Sequence, residues 1–169
     1  MKLTKKDRLM LWNQYEILKL LDQENAEDYE NYQEILLQGF EYDYDSLVSG
    51  MDDIPKDVSE EVYDILQMFR CLAFSFERLD DTAELTKEDV MFEGFDGNEE
   101  IPHYIYAKWL IRDNGKYEEL SKCDFNSHWR KLDKYREMLE RFNEVISKKG
   151  YSRFTDSLSL NELIYIVDK

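Results

Sequence analysis

The chain has 169 residues, among them 3 tryptophans, 12 tyrosines and 9 phenylalanines, and a formal net charge of −16. This length suits one compact domain, and the aromatic content is higher than a disordered chain carries. Such a negative charge repels nucleic acid and anionic membrane surfaces, so we expect no direct contact with either. No apolar run approaches the roughly 20 residues that cross a bilayer, and no signal-peptide core follows the basic first residues. We therefore expect a cytoplasmic protein.

Helical periodicity runs through nearly the whole chain and predicts an all-α compact bundle of about six to seven helices in a single domain, 1–169. The first helix is expected to begin after Thr4, because Thr4 and Asp7 have the spacing of a capping box. Its apolar positions cover more than half of its circumference, so we expect it at the centre of the core or against another chain. Asn25 is expected to cap the second helix and Gly39 to end it.

The polar segment 40–55 is rich in aspartate and predicts a loop, with one helical turn near 46–48. The third helix carries the clearest pattern, a heptad seam at Val58, Val62, Ile65, Phe69, Leu72 and Phe76. Asp57 and Glu60 are spaced to close its N-terminus. We expect this seam to pack within a bundle or between two chains.

A short extended segment is predicted near 90–95, and three more helices follow it. Their expected N-terminal caps are Asn98, then Asn126 or Ser127, and finally Ser159 in a capping box with Glu162. Gly150 is expected to end the second of these helices. The most buried side chains outside the seam are expected to include Trp129, Leu139 and Leu163.

The sequence predicts neither a metal site nor a cofactor. Two acidic segments, 43–48 and 96–101, resemble the start of a calcium-binding loop but lack the glycine that its sixth position requires. Neither His103 nor His128 belongs to a zinc-binding pattern, and the two cysteines, Cys71 and Cys123, are expected to be buried thiols. No glycine-rich phosphate loop or nucleophile-elbow motif is present.

Several short motifs in chain order resemble those of the YfbU family of bacterial proteins. They are Arg8-Leu9, Asn13-Gln14-Tyr15, Leu21-Asp22, Asn25-Ala26-Glu27, Phe92-x-Gly94-Phe95-Asp96, Phe125-Asn126, Lys134-Tyr135, Met138-Leu139 and Leu158-Ser159-x-Asn161-Glu162. The resemblance covers nearly the whole chain and is weakest in the segment 41–57. It implies an all-helical cytoplasmic protein and carries no catalytic residues with it.

A candidate polar site consists of Asn13, Gln14, Tyr15, Asp96, Asn126 and Tyr135. A buried amide without a partner costs roughly 1–3 kcal/mol, so Asn13 and Gln14 are expected either in satisfied contacts to a neighbouring loop or in a ligand site. Asp96 and Asn126 are expected as caps or turn formers, or as site residues. An enzyme, the third functional hypothesis, would draw on Tyr15, Asp22, Asp96, Lys134 and Tyr135.

The leading hypothesis is a non-enzymatic interaction protein that forms a homo-oligomer. Its basis is the apolar surface of the first and third helices, together with two oppositely charged segments. Fourteen carboxylates and one lysine lie between Asp22 and Glu61, whereas eight cations and four acids lie between Arg130 and Arg153. Across a two-fold axis these segments would attract one another.

The second hypothesis is an acidic DNA mimic that inhibits a nucleic-acid-binding protein. Spacings of three and four residues on the second helix place several carboxylates on one face, and the candidate partner-binding face is Asp28, Glu30 and Glu34. Such a face would bind a basic protein. The alternative is a solvated helix that keeps the protein in solution.

Overall fold

The computed structural model describes residues 1–82, 85–121, 124–155 and 157–169. These residues contain short 3₁₀-helices, a π-helical turn at Trp109–Asp113, no β-strand, and six α-helices. The α-helices are α1 (Lys5–Leu21), α2 (Ala26–Gln38), α3 (Lys56–Glu77), α4 (Ile101–Lys108), α5 (Leu132–Lys149) and α6 (Leu160–Val167). The predicted all-α class is confirmed. The chain divides into two compact units, Met1–Asp53 and Ile54–Lys169, and one domain over 1–169 stays a prediction.

The first unit is built on α1 and α2, which run antiparallel. The predicted capping box starts α1, because the backbone N–H of Asp7 donates to the Thr4 hydroxyl (3.2 Å) and the N–H of Thr4 donates to the Asp7 carboxylate (2.9 Å). Gly39 ends α2 as predicted, with a φ of +75°. There the Arg8 guanidinium donates to the carbonyl of Leu36 (3.1 Å), so a side chain of α1 satisfies the last turn of α2.

Three expectations for the first unit are corrected. Asn25 precedes α2 but makes no capping hydrogen bond, because its amide donates instead to the Asp22 carboxylate (2.9 Å). The loop predicted over 40–55 contains a 3₁₀-helix at Glu41–Val48, longer than the single turn expected. No residue of α1 is buried, so this helix is not the centre of a core.

The core of the second unit is organised by α3. Its predicted seam is confirmed, since Val62, Ile65, Phe69 and Leu72 are at most 1% exposed and pack within their own unit. The Phe69 ring lies 4.9 Å from that of Tyr135, edge to face, a geometry that aromatic pairs prefer. The thiol of Cys71 is buried as expected, whereas Cys123 lies outside the described residues.

Three predicted caps do not close their helices: Asp57 with Glu60, Asn98, and Asn126 or Ser127. In the structure α3 starts after Pro55, α4 after Glu100 and α5 after Lys131. Trp129, predicted to be buried, is 76% exposed because it precedes α5 instead of lying on it. The start of α5 is set by a contact from a distant segment, described below.

The C-terminal predictions agree better with the structure. Gly150 ends α5 with a φ of +64°, and the backbone N–H of Ser159 donates to Glu162 (2.8 Å) in the predicted capping box of α6. Leu163 is fully buried and Leu139 is partly buried against the core. The extended segment predicted near 90–95 begins late, because Glu88–Val90 is a 3₁₀-helix.

Candidate interaction surface

One side of α1 is a continuous exposed apolar stripe. Met10, Ile17 and Leu20, with Leu9 and Leu21 beside them, are between 53% and 78% exposed. Because helical residues three, four and seven apart share a face, these five side chains lie together. We call them, with Asn13 among them, the outer face of α1. Single exposed leucines are ordinary, whereas contiguous exposed apolar side chains are a common feature of interaction sites.

The opposite side of α1 is occupied by α2 through polar contacts. The amide of Gln33, a buried residue, donates to the carbonyl of Trp12 (3.3 Å) and to the carboxylate of Glu16 (2.9 Å). Lys19 forms ion pairs with Glu16 (3.2 Å) and Glu30 (3.4 Å). These contacts fix which side of α1 faces α2 and leave the outer face exposed.

The first three residues of the candidate polar site are separated by this arrangement. Asn13 and Gln14 are exposed, so the expectation that they are buried and hydrogen-bonded to a loop is wrong. Tyr15 is half-buried between the helices, where its ring lies 6.0 Å from that of Tyr29 and 5.2 Å from that of Tyr32. Burial, and then the neighbouring Tyr32, raise the pKa of Tyr15. This tyrosine is a packing residue with a weakly acidic hydroxyl.

Asp22 closes the hairpin between α1 and α2. Its carboxylate accepts hydrogen bonds from the Asn25 amide and the Tyr29 hydroxyl, both at 2.9 Å. These hydrogen bonds, the one from Asn25 first, hold the pKa of Asp22 below its usual value. The contacts are those of a turn-forming carboxylate.

An apolar groove of about 390 Å³ lies beside the outer face, between the N-terminal half of α1 and the C-terminal end of α2. Its lining residues are Lys5, Arg8, Leu9, Trp12, Leu36 and Leu37. Leu9 belongs to both the groove and the outer face. The two features therefore form one apolar surface with basic side chains at its N-terminal end.

The acidic residues of α2 are exposed, as the mimic hypothesis requires. Glu30 and Glu34 are four residues apart and share a face. Asp28 is two residues from Glu30, about 200° around the helix, and therefore lies on another side. Glu34 accepts a hydrogen bond from Gln38 (2.9 Å).

The other three residues of the candidate polar site lie in the second unit, around the loop 94–97. Phe95 and Asn126 form an isolated parallel bridge, in which the N–H of Phe95 donates to the carbonyl of Phe125 (2.9 Å). Gly94 has a φ of +97°, and a Cβ there would lie 2.3 Å from the oxygen of Phe125. Only glycine allows this approach, which explains the glycine in the Phe-x-Gly-Phe-Asp motif.

Each polar side chain at this loop binds backbone groups. The hydroxyl of Tyr135 donates to the carbonyl of Gly94 (3.0 Å) and accepts from the N–H of Glu93 (3.2 Å). The Asn126 side chain accepts from the N–H of Gly97 (3.0 Å), and Asp96 accepts from the N–H of Asn98 (2.8 Å). The loop thus brings Asp96, Asn126 and Tyr135 together, and their contacts hold it in place.

Glu100, a buried carboxylate directly before α4, belongs to no motif that sequence reasoning could have found. One oxygen of Glu100 accepts from the N–H groups of Lys131 (2.9 Å) and Leu132 (2.8 Å), and the other accepts from the N–H of Asp96 (2.8 Å). Glu100 therefore caps α5 from a distance of 31 residues. A carboxylate at a helix N-terminus also interacts favourably with the helix dipole.

A second polar group that sequence reasoning missed ties α3, α4 and α5 together. Arg136 donates to both oxygens of Glu61 (2.7 and 2.9 Å), and a hydrogen bond of 2.9 Å links Glu61 to the buried His103. Hydrogen bonding from Arg136 and His103 holds the pKa of Glu61 below its usual value, against the opposing effect of burial. Lys134, a candidate of the enzyme hypothesis, is exposed and forms an ion pair with Glu93 (3.5 Å).

In the described ranges, no three His, Cys, Asp or Glu side chains are grouped so that they could hold a metal ion. Across the same ranges, no helix is long and apolar enough to span a membrane.

The fold and its contacts define an all-α protein in which the polar side chains of the loop 94–97 and its neighbours hold the loop in place. The family follows from comparison with known proteins: a model of the YfbU domain matches residues 1–168, so the chain belongs to the YfbU family. It is 34% identical to the UPF0304 protein MJECS11 of Methanocaldococcus jannaschii, over 87% of this chain and 91% of the relative. The UPF0304 protein PM1500 of Pasteurella multocida is 31% identical, with 83% and 87% covered.

Proposed function

We propose that the protein is a non-enzymatic interaction protein that self-associates through the outer face of α1. The observation that carries the proposal is a 17-residue helix with no buried residue and a contiguous apolar stripe on the side away from α2. Most of the stability of a helix in a protein comes from packing an amphipathic face. A partner on the outer face supplies the packing that this side of α1 lacks.

The apolar side chains of the outer face contribute a burial energy of the same order as the cost of forming a symmetric dimer. Burying one Leu, Ile or Met side chain contributes roughly 1.5–3 kcal/mol, and the residues here are already partly covered. Ten such side chains, five from each copy, contribute roughly 8–15 kcal/mol if each gains about half of that value. Association costs about 4–15 kcal/mol, so the expected dimer is of moderate affinity.

The opposite charges of the two long segments do not add to this proposal. The cations between Arg130 and Arg153 have acidic partners within the second unit, for example Arg130 with Glu99 (2.6 Å) and Arg153 with Asp64 (3.0 Å). The α3 seam likewise packs inside its own unit. The apolar stripe of α1 is what remains to favour self-association.

The enzyme hypothesis receives less support from the contacts of its candidates. Tyr15 and Asp22 are engaged in packing and in a turn of the first unit. Asp96 and Tyr135 bind backbone groups of the second unit. We therefore retain the non-enzymatic proposal.

The test is light scattering after size-exclusion chromatography at about 50 μM protein, with two variants. The double variant Ile17→Glu/Leu20→Glu places charge on the outer face, and we expect it to be monomeric with unchanged helix content. Met51→Glu changes a side chain of the first unit that is 76% exposed and off α1, so it should leave the dimer intact. A monomeric wild-type protein would contradict the proposal, and so would a double variant that stays dimeric.

A DNA mimic remains the second candidate, favoured by the exposed carboxylates of α2. Glu27, Glu30 and Glu34 follow at spacings of three and four and are all exposed. A mimic would recover a nucleic-acid-binding protein from a host lysate, and the recovery would fall with salt and with joint neutralisation of Asp28, Glu30 and Glu34. The control is a variant in which Glu118 and Glu137, exposed carboxylates of the second unit, are neutralised. If this variant loses as much recovery of the partner as the α2 variant does, mimicry is contradicted.

The proposal places the protein in the cytoplasm. Two cysteines in 169 residues are too few for the disulfide framework of small secreted domains, which supports this location.

A further inference from the structure

We infer that two copies pair through α1 in antiparallel orientation, about a two-fold axis close to residue 15. The inference rests on the proposed function, since it names the partner of the outer face, a second copy, and its direction. A two-fold axis makes every contact occur twice, so a favourable pair is doubled and so is a repulsive one. Orientation is therefore decided by the groups at the two ends of the stripe.

The two ends of the stripe carry opposite charge. Lys2, Lys5, Lys6 and Arg8 lie at the N-terminal end, with Asp7 among them, whereas Asp22, Glu24, Glu27 and Asp28 lie at the C-terminal end. In a parallel pair Lys6 would meet Lys6 of the second copy, and Glu24 would meet Glu24. In an antiparallel pair each basic end meets an acidic end, which favours association and sets direction.

One antiparallel register aligns both the apolar and the charged groups. With the axis at residue 15, Met10 lies opposite Leu20 of the second copy and Leu9 opposite Leu21. In this same register the 3₁₀-turn Gln23–Asn25 of the second copy, which follows α1 and carries Glu24, lies at the end of the seam where Lys6 is. The apolar groove beside Leu9 is at the right end to receive Leu21, a side chain that is 78% exposed in one copy.

Asn13 lies near the centre of this seam. Met10, Asn13, Ile17 and Leu20 follow at steps of three and four, the spacing of the core positions of a coiled coil. Asn13 then lies opposite Ile17 of the second copy, and the pair replaces an apolar layer by a polar one. Opposite isoleucine the asparagine amide has no hydrogen-bond partner in the seam, which lowers the stability of the dimer. Replacing Asn13 by leucine should tighten the dimer by roughly tenfold or more.

The direct test is disulfide cross-linking between two single-cysteine variants, Lys6→Cys and Glu24→Cys, of the full chain. If the pair is antiparallel, mixing the two variants gives a cross-linked dimer that contains one chain of each. Each variant alone gives no more cross-linked dimer than the wild type gives. The wild type measures cross-linking through Cys71 and Cys123. Cross-linking of each variant alone, with no gain on mixing, would overturn the orientation.

An exchange of charge gives an independent readout that does not require new cysteines. Lys6→Glu and Glu24→Lys should each weaken the dimer by roughly 2- to 30-fold, because two exposed ion pairs are lost, and the double variant Lys6→Glu/Glu24→Lys should recover the wild-type affinity. In a parallel pair the single changes would replace one like-charge contact with another and have little effect. A double variant that is weaker than either single variant would also overturn the inference.

The outcomes separate this inference from the proposed function. A monomeric wild-type protein removes both. A dimer that the Ile17→Glu/Leu20→Glu variant dissolves, but in which the mixed cysteine variants do not cross-link, leaves self-association standing and refutes the antiparallel register.

Discussion

Replacing Glu100 by glutamine should destabilise the second unit strongly although it changes a single atom. The carboxylate accepts three backbone N–H groups, from Asp96, Lys131 and Leu132, and is only 6% exposed. A glutamine can keep its oxygen on the two N–H groups of α5, but its amide nitrogen then faces the N–H of Asp96. Two donors cannot bond to each other, so a buried N–H is left unsatisfied.

The magnitude follows from the bonds that are changed. Losing one charge-assisted hydrogen bond costs about 1.5–3 kcal/mol, and the two that remain are accepted by a neutral oxygen. We expect Glu100→Gln to lower the free energy of unfolding by about 2–4 kcal/mol. The measurement is urea denaturation followed by circular dichroism, with the midpoint and slope fitted together.

Glu99 provides a matched control in the adjacent position. Its carboxylate is exposed and forms an ion pair with Arg130, so Glu99→Gln should cost less than about 1 kcal/mol. If the two variants lose the same stability, the distant cap is not what fixes the start of α5.

Three further predictions concern the same unit. Gly94→Ala should lower the free energy of unfolding, measured by urea denaturation, by roughly 3 kcal/mol or more, because φ is +97° and the new Cβ would clash with the backbone. The control Gly150→Ala has open space around it and should cost only about 1 kcal/mol, so similar losses of stability in the two variants would contradict the close approach at Gly94. Tyr135→Phe should cost about 1–3 kcal/mol by leaving a buried carbonyl without its donor, and a loss under about 0.5 kcal/mol would show that water replaces the hydroxyl. The folded-state pKa of Glu61 lies below its usual value, so the contribution of Glu61 to stability is complete above a pH of about 4.5 and is lost as the pH falls further. Glu61→Gln should therefore reduce the loss of stability at acidic pH. If that loss is unchanged, the ion pair of Glu61 with Arg136 is not its cause.

Local signals predicted the parts of the fold that depend on residues close in sequence. The Thr4 capping box and the terminal glycines Gly39 and Gly150 are each specified within about one helical turn, and the α3 seam is specified within a single helix. Such features need no knowledge of the rest of the chain. They account for most of the helix positions that were predicted correctly.

The remainder depends on long-range contacts that one sequence does not reveal. The start of α5 was misplaced because its cap, Glu100, comes from another segment, and Trp129 was then assigned to a helix face that does not exist. The side of α1 that faces α2 was equally impossible to predict from the sequence, because apolar residues lie around much of the circumference of this helix. Polar contacts of Gln33 with α1 determine which side of α1 faces α2, and Asn13 lies on the exposed side.

Glu100 also has a consequence for the order in which amide hydrogens exchange with solvent. Its backbone carbonyl accepts the N–H of Tyr104 in α4 (2.9 Å), while its side chain holds the first N–H groups of α5. The first turn of a helix is ordinarily where exchange is fastest, because its N–H groups lack partners within the helix. Here the amides of Lys131 and Leu132 open only when the loop before α4 opens, so their exchange should match that of the α4 amides rather than that of a frayed helix end.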